Sequence, residues 1–271
     1  MKIGVFDSGV GGLTVLRALL RRVPADYVYL GDTARLPYGA KSRETVARYA
    51  VSSAKFLVEE QGAEFLVIAC NTASALALDA IREAVTVPVL GVVETGANAA
   101  DASSTTRDVL VIATAATVAS HAYAAACAGR RLRAIEKACP LLVPLVEEGW
   151  IEHPVTAEVL RIYMAELMDQ AREAGLDADT LVLGCTHYPL LRAQIEKAVP
   201  EKLRVIDSAE VTADQVAARL SVDGGGARAS ASFFATDSVA KFRALGSRFL
   251  GREIDGVELV DLEKQGLGNR Q

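Results

Sequence analysis

Two cysteines in this chain sit in loops that repeat each other: Leu66-Val67-Ile68-Ala69-Cys70-Asn71-Thr72 and Leu181-Val182-Leu183-Gly184-Cys185-Thr186-His187. In each, an apolar run of strand length ends at the thiol and a stretch with helical spacing follows. The offset is 115 residues (185 − 70) and holds as far as Leu76 and Leu191. After a one-residue slip, Ile81-Arg82-Glu83-Ala84-Val85 stands opposite Ile195-Glu196-Lys197-Ala198-Val199. This is a duplicated strand-loop-helix unit with one thiol per copy. Two thiols facing each other across a cleft suit a reaction that takes a proton from one side of a carbon and returns one to the other.

A cysteine at the start of a helix meets unpaired backbone N–H groups and the positive end of the dipole, which favours thiolate over thiol. The same N–H groups can hold substrate carboxylates. An isolated cysteine is more often a small buried hydrophobe, the reading given to Cys127 and Cys139; the match between the loops reverses it for Cys70 and Cys185. Asp7 ends an apolar run before Gly9-Val10-Gly11-Gly12. It either works on a neighbouring thiol or caps the helix that follows, and beside Cys70 its charge would oppose the dipole. His187 follows Cys185 by two residues; as imidazolium it would stabilise a thiolate, and as neutral imidazole it could relay a proton. The glycine run does not fit GxGxxG and no Walker lysine follows, so a tight turn is expected there instead of a phosphate loop. Cys70, Cys185 and His187 lack the spacing of a structural zinc set, and no metal is expected.

These residues need a scaffold. The chain has 271 residues, 51% hydrophobic and 6% aromatic, enough for one large or two ordinary domains with aliphatic cores. A net charge of −5 and a pI near 5.4 argue against nucleic-acid or anionic-membrane partners. The longest uncharged stretch, Val109 to Gly129, contains Thr114, Thr117, Ser120, His121 and Tyr123 and reads as a buried strand followed by a helix, not a membrane span. No secretion signal is visible at the N-terminus, and four cysteines without a CxxC pair point to reduced thiols in a cytoplasm.

Strand-length apolar runs alternate with helical segments. Ile3–Asp7, Tyr27–Gly31, Phe65–Cys70 and Val87–Val93 are expected strands, with helices from Leu13, over Lys41–Gln61, and after Cys70 to about Ala84. The pattern restarts with Val109–Thr114, a helix from about Val118, a long helix over Val155–Ala174, a strand Leu181–Cys185, a helix through Ala198 and a strand Arg204–Asp207. A helix Val211–Leu220, a Gly224-Gly225-Gly226 loop, a strand Ser232–Ala235, a helix Ser238–Leu250 and a mobile tail from Lys264 complete the expectation. Such alternation implies parallel sheets covered on both faces. The expected fold is α/β, with two pseudo-symmetric doubly wound domains, 1–96 plus 209–271 and 97–208. Ligands of such sheets bind beyond the carboxyl ends of the strands, where Asp7-Ser8, Cys70-Asn71-Thr72, Thr114 and Cys185-Thr186-His187 converge.

Four motifs in order, Asp7-Ser8-Gly9-Val10-Gly11-Gly12-Leu13-Thr14, Gly31-Asp32-Thr33-Ala34-Arg35-Leu36-Pro37-Tyr38-Gly39, Ala69-Cys70-Asn71-Thr72-Ala73-Ser74 and Gly184-Cys185-Thr186-His187-Tyr188-Pro189-Leu190, closely resemble the bacterial glutamate racemases of the aspartate/glutamate racemase superfamily. The likeness runs to about Leu250. It implies a cofactor-independent racemase with its substrate between two domains, with Cys70 acting on the D-enantiomer and Cys185 on the L-enantiomer. It further implies substrate contacts at Asp7, Ser8, Tyr38, Gly39, Asn71, Thr72, Thr114, Thr117, Thr186 and His187. Asp7 and His187 would tune the first and second thiols respectively, and Glu147 matches a family glutamate near the second cysteine. The implied role is supply of D-glutamate for peptidoglycan by a homodimer. Thr95 stands where a proline commonly follows Glu94, and Ala113 where a glycine often precedes Thr114; neither removes a reacting group. Aspartate is the nearest competing substrate, one methylene shorter and so separated by about 1–3 kcal/mol of pocket discrimination. A non-catalytic binding protein is the alternative from another class, which intact cysteines in both loops disfavour. The chain starts at its first strand, and unregulated or substrate-regulated behaviour is expected.

Overall fold

Ile3, Val5 and Phe6 are completely buried, as a strand covered on both faces requires. They lie in β1 (Lys2–Asp7), the first element of a computed structural model that describes residues 1–221 and 229–262. α1 (Leu13–Arg22), β2 (Asp26–Gly31), α2 (Arg43–Lys55), β3 (Phe65–Ile68), α3 (Asn71–Leu76), α4 (Leu78–Ala84), β4 (Val89–Gly91) and α5 (Val92–Ser103) follow. A second series runs β5 (Asp108–Ala113), α6 (Ala115–Ala119), α7 (Ala122–Ala128), β6 (Arg133–Ala138), α8 (Leu142–Glu147), α9 (Pro154–Glu173), β7 (Thr180–Gly184), α10 (Arg192–Ala198), β8 (Arg204–Asp207) and α11 (Ser208–Leu220). The chain then returns as β9 (Ser230–Ala235), α12 (Val239–Leu250) and β10 (Glu258–Leu259).

The strands form two sheets, ordered β10-β9-β2-β1-β3-β4 and β6-β5-β7-β8, and every pairing is parallel. Within them β2-β1-β3-β4 and β6-β5-β7-β8 have the same order, so β3, before Cys70, and β7, before Cys185, hold equivalent places. The internal repeat is therefore a repeat of topology. One aliphatic core runs across both sheets, joining Ile3 and Val67 of the first, with Leu16 of α1, to Leu110 and Leu181 of the second, with Ile195 of α10. Among the described residues no helix is long and apolar enough to cross a membrane.

Several expectations need correction. The strand expected over Val87–Val93 is only Val89–Gly91, because Val92 already opens α5. A remote group caps this helix: the Val93 N–H donates to Ser74 Oγ at 3.2 Å. β6 went unrecognised because it is a partly exposed edge strand carrying Arg133, Glu136 and Lys137 instead of an apolar run. The helix expected after Cys70 breaks at Ala77 into α3 and α4. That expected from Val118 is the pair α6 and α7, separated by His121 in a left-handed conformation. The helix over Lys41–Gln61 starts at Arg43, under a Ser42 cap, and ends in a π turn over Phe56–Glu60. The Gly224-Gly225-Gly226 loop and the tail from Lys264 lie outside the described residues.

The β1–α1 turn rests directly on the end of β2. A Cβ at Gly31 would stand 2.4 Å from the Gly9 carbonyl oxygen and 2.7 Å from the Phe242 ring, contacts that only a backbone shift relieves. Gly31→Ala should therefore cost about 1–3 kcal/mol and lower the melting temperature by several degrees. Thermal unfolding followed by circular dichroism measures this, and an unchanged midpoint would refute the close approach.

Candidate active site

β3 and β7 both end at one cavity of about 510 Å³, lined by Cys70 and Cys185 together. Ser8, Tyr38, Gly39, Asn71, Thr72, Thr114, Thr186, His187 and Glu147 also line it. Of the expected substrate contacts only Asp7 and Thr117 do not reach its wall; both are buried behind it.

Cys70 caps α3: its Sγ accepts from the Ala73 N–H at 3.4 Å and lies 3.4 Å from Ser8 Oγ. The helix start and the charge of Asp7 pull in opposite directions here, and the sequence leaves the net direction open. Burial, reinforced by the charge of Asp7, pushes the Cys70 thiol up to about 12, and the hydrogen bonds from Ser8 and Ala73 offset only part of this. Asp7 is itself raised by burial, against the opposing pull of His187 and the amides of Gly12, Gly9 and Ser8. Of those amides only Gly9 is aligned to donate, at 2.9 Å to Oδ2, and Oδ1 is buried without a hydrogen-bond partner.

The second thiol is held differently. Cys185 is followed by a turn and a 3₁₀ segment, Tyr188–Leu191, containing Pro189, so it does not open an α-helix as Cys70 does. Its partner is a side chain: Sγ lies 3.9 Å from His187 Nδ1, and His187 Nε2 lies 3.2 Å from Glu147 Oε1. Burial works against a charged imidazole, but the hydrogen bonds to Cys185 and Glu147 and the electrostatic pull of both raise His187 from 6.5 to about 10. Glu147 is lowered in return, chiefly by its hydrogen bond to His187. Of the two roles left open for His187, the geometry favours the imidazolium.

Hydroxyls and an amide complete the wall. Thr72 Oγ1 lies 3.0 Å from Thr114 Oγ1 and 3.4 Å from Thr117 Oγ1, and Thr114 and Thr117 are 3.0 Å apart. The network joins the end of β3 to the end of β5, and Thr117 serves it from behind. Tyr123 donates to Asn71 Oδ1 at 2.7 Å, which leaves Asn71 Nδ2 a buried donor with no partner in the protein. Tyr38 is fixed through its hydroxyl, which donates to buried Asp32; Arg35 Nε and Thr236 Oγ1 bond the same carboxylate, each at 2.9 Å.

Sequence patterns did not single out Tyr123, Asp32 in this bracing role, the wall residues Pro37, Pro140, Val143 and Pro144, or Lys241. The Gly31-Asp32 motif was the one available signal. Among the described residues no cluster of three or more His, Cys, Asp or Glu side chains is placed to hold a metal ion.

Two equivalent strand ends each give one thiol to a shared cavity, and residues 3–216 match the family of Asp/Glu/hydantoin racemases, to which the chain belongs. Its place within that family is among the glutamate racemases. It is 54% identical to the glutamate racemase of Koribacter versatilis (strain Ellin345), over 96% of this chain and 97% of that one. The crystal structure of glutamate racemase from Francisella tularensis in complex with D-glutamate superposes with a TM-score of 0.87 at 34% identity, covering 97% of this chain and 98% of the other. Glutamate racemase from Thermus thermophilus gives 0.83 at 43% identity, covering 97% and 98%.

Because His187 is raised above its free value, its contribution to stability is complete below about pH 6.5 and is lost as pH climbs toward 10. Over that window the wild-type protein should lose stability with rising pH relative to a His187→Gln variant. Denaturant titrations at about pH 6, 8 and 10 measure the difference; parallel pH curves for the two proteins would show that the imidazolium is not stabilised in the fold.

Proposed function

We propose that the protein interconverts L- and D-glutamate by proton transfer between Cys70 and Cys185 without a cofactor, and so supplies D-glutamate for peptidoglycan. The observation that carries this reading is the shared cavity, in which two thiols from equivalent strand ends have opposite electrostatic partners. Starting from L-glutamate, the Cys185 sulfur, paired with the His187 imidazolium, takes the α-proton: the Cα–H bond breaks, an S–H bond forms, and the electron pair moves toward the α-carboxylate. Cys70, kept protonated by burial, gives its proton to the opposite face. Cys70 is then the thiolate and Cys185 the thiol, which is the state that acts on D-glutamate.

The weakly acidic α-proton demands fixed donors where charge builds and exclusion of water. Asn71 Nδ2, unpartnered and buried, supports a role on a substrate carboxylate, with Ser8, Thr72 and Thr186 as neighbouring donors. Tyr38, Gly39 and Thr114 would contact the substrate, while Asp7 and Thr117 would act from behind the wall. Glu147 would hold His187 in its charged form. We further propose that the units are 1–96 plus 209–271 and 97–208, boundaries that fall within α5 and the first turn of α11, and that the protein works as a homodimer in the cytoplasm.

Incubation with L-glutamate in D₂O should give α-deuterated D-glutamate without added pyridoxal phosphate or metal, read by NMR and chiral chromatography. Cys70→Ala and Cys185→Ala should each lower kcat by roughly 10³-fold or more. Full activity in either variant would falsify the two-base assignment, and faster turnover of aspartate run alongside would replace the substrate.

A further inference from the structure

Lys241 belongs to no motif and lies in α12, yet its side chain lines the cavity. It is 64% exposed, and its Nζ stands 3.8 Å from Glu147 Oε2. Glu147 contributes the sole carboxylate, and His187 and Lys241 the sole basic side chains, among the described residues lining the cavity. The carboxylate is thus divided between two cations: Oε1 meets His187 on the inner side, and Oε2 faces Lys241 toward solvent.

The position of α12 is set independently of this ion pair. Phe249, buried at 1% exposure, packs edge-on against His187 with ring centroids 5.0 Å apart. Arg248 lies over Gly149, where an added Cβ would stand 2.8 Å from its Nη1. Lys241 and Arg248 are seven residues apart and so share a helix face. Both reach the segment that ends α8, which belongs to the other half of the molecule.

We propose that Lys241 admits the anionic substrate and selects for it at the cavity mouth. The inference rests on the reading that the substrate is glutamate, which carries one net negative charge. Without Lys241, that anion would approach past the solvent-facing oxygen of Glu147 and be repelled. With it, the charge at the mouth is cancelled, and the inner oxygen stays committed to His187. A contact of 3.8 Å at an exposed site is a loose ion pair. The ammonium on its flexible stem is free to swing from Glu147 to a passing carboxylate. Lys241 acts on capture of substrate, and the proton transfers belong to the two thiols. Its effect therefore falls on kcat/KM and weakens with salt.

The test uses the full-length protein with Lys241→Gln, Lys241→Glu and Lys241→Arg, assayed with L- and D-glutamate at ionic strengths of about 10 mM and about 300 mM. At low ionic strength kcat/KM should fall roughly 3–10-fold in the Gln variant and further in the Glu variant, with kcat within about twofold of wild type, and Arg should restore it. The wild-type advantage should shrink at high ionic strength. Equal kcat/KM in all four proteins at low salt would overturn the proposal. So would a fall in kcat at constant KM, which would make Lys241 a brace for Glu147 instead. A wild-type protein that racemises no glutamate overturns the functional reading and this proposal with it.

Discussion

Everything at the site depends on how closely the β1–α1 turn approaches the loop after β7. A Cβ on Gly11 would stand 2.2 Å from Thr186 Oγ1 and 2.6 Å from His187 Nδ1, so glycine is the residue that lets the two loops meet. The Thr14 hydroxyl, 2.9 Å from the Gly11 carbonyl and 3.3 Å from the Thr186 carbonyl, spans the same junction. Because these loops interlock, the strand ends carrying Cys70 and Cys185 open onto one buried space. Separated by one side chain's thickness, the two halves of the fold would hold two unrelated thiols.

Equivalent placement does not give equivalent chemistry. Cys70 lies in a setting where burial and Asp7 disfavour charge, softened only by Ser8 and one helix amide. Cys185 lies beside His187, whose hydrogen bonds to Cys185 and Glu147 shift it toward the charged form. A topological repeat fixes where the sulfur atoms stand, while the residues that differ between the copies decide what surrounds each one.

The sequence revealed the central strands, the repeat and the strand-end part of the cavity wall, because each depends on a local pattern, whereas Tyr38, Gly39 and Glu147 entered only through the family resemblance. Apolar runs mark β1, β3, β5 and β7, which are buried on both faces, and strand ends locate the site. What escaped detection is fixed from a distance. α5 is capped by Ser74 from another helix, and β6 is an edge strand whose polar residues conceal it. The upward shift at Cys70 comes chiefly from three-dimensional burial, which no local pattern records. Tyr123 and Lys241 reach the site from elements with no chemical motif, so no spacing could have assigned them.

The chain order of the two sheets has a consequence for biosynthesis. β2 pairs with β9, and the Ser230 hydroxyl reaches back to Asp26 across 204 residues of chain. During synthesis the whole of the β5–β8 sheet leaves the ribosome before the first sheet can be finished. Until β9 arrives, β2 presents an open edge in the growing polypeptide, the kind of edge that seeks another strand. The first half of the molecule to be made is the last to close.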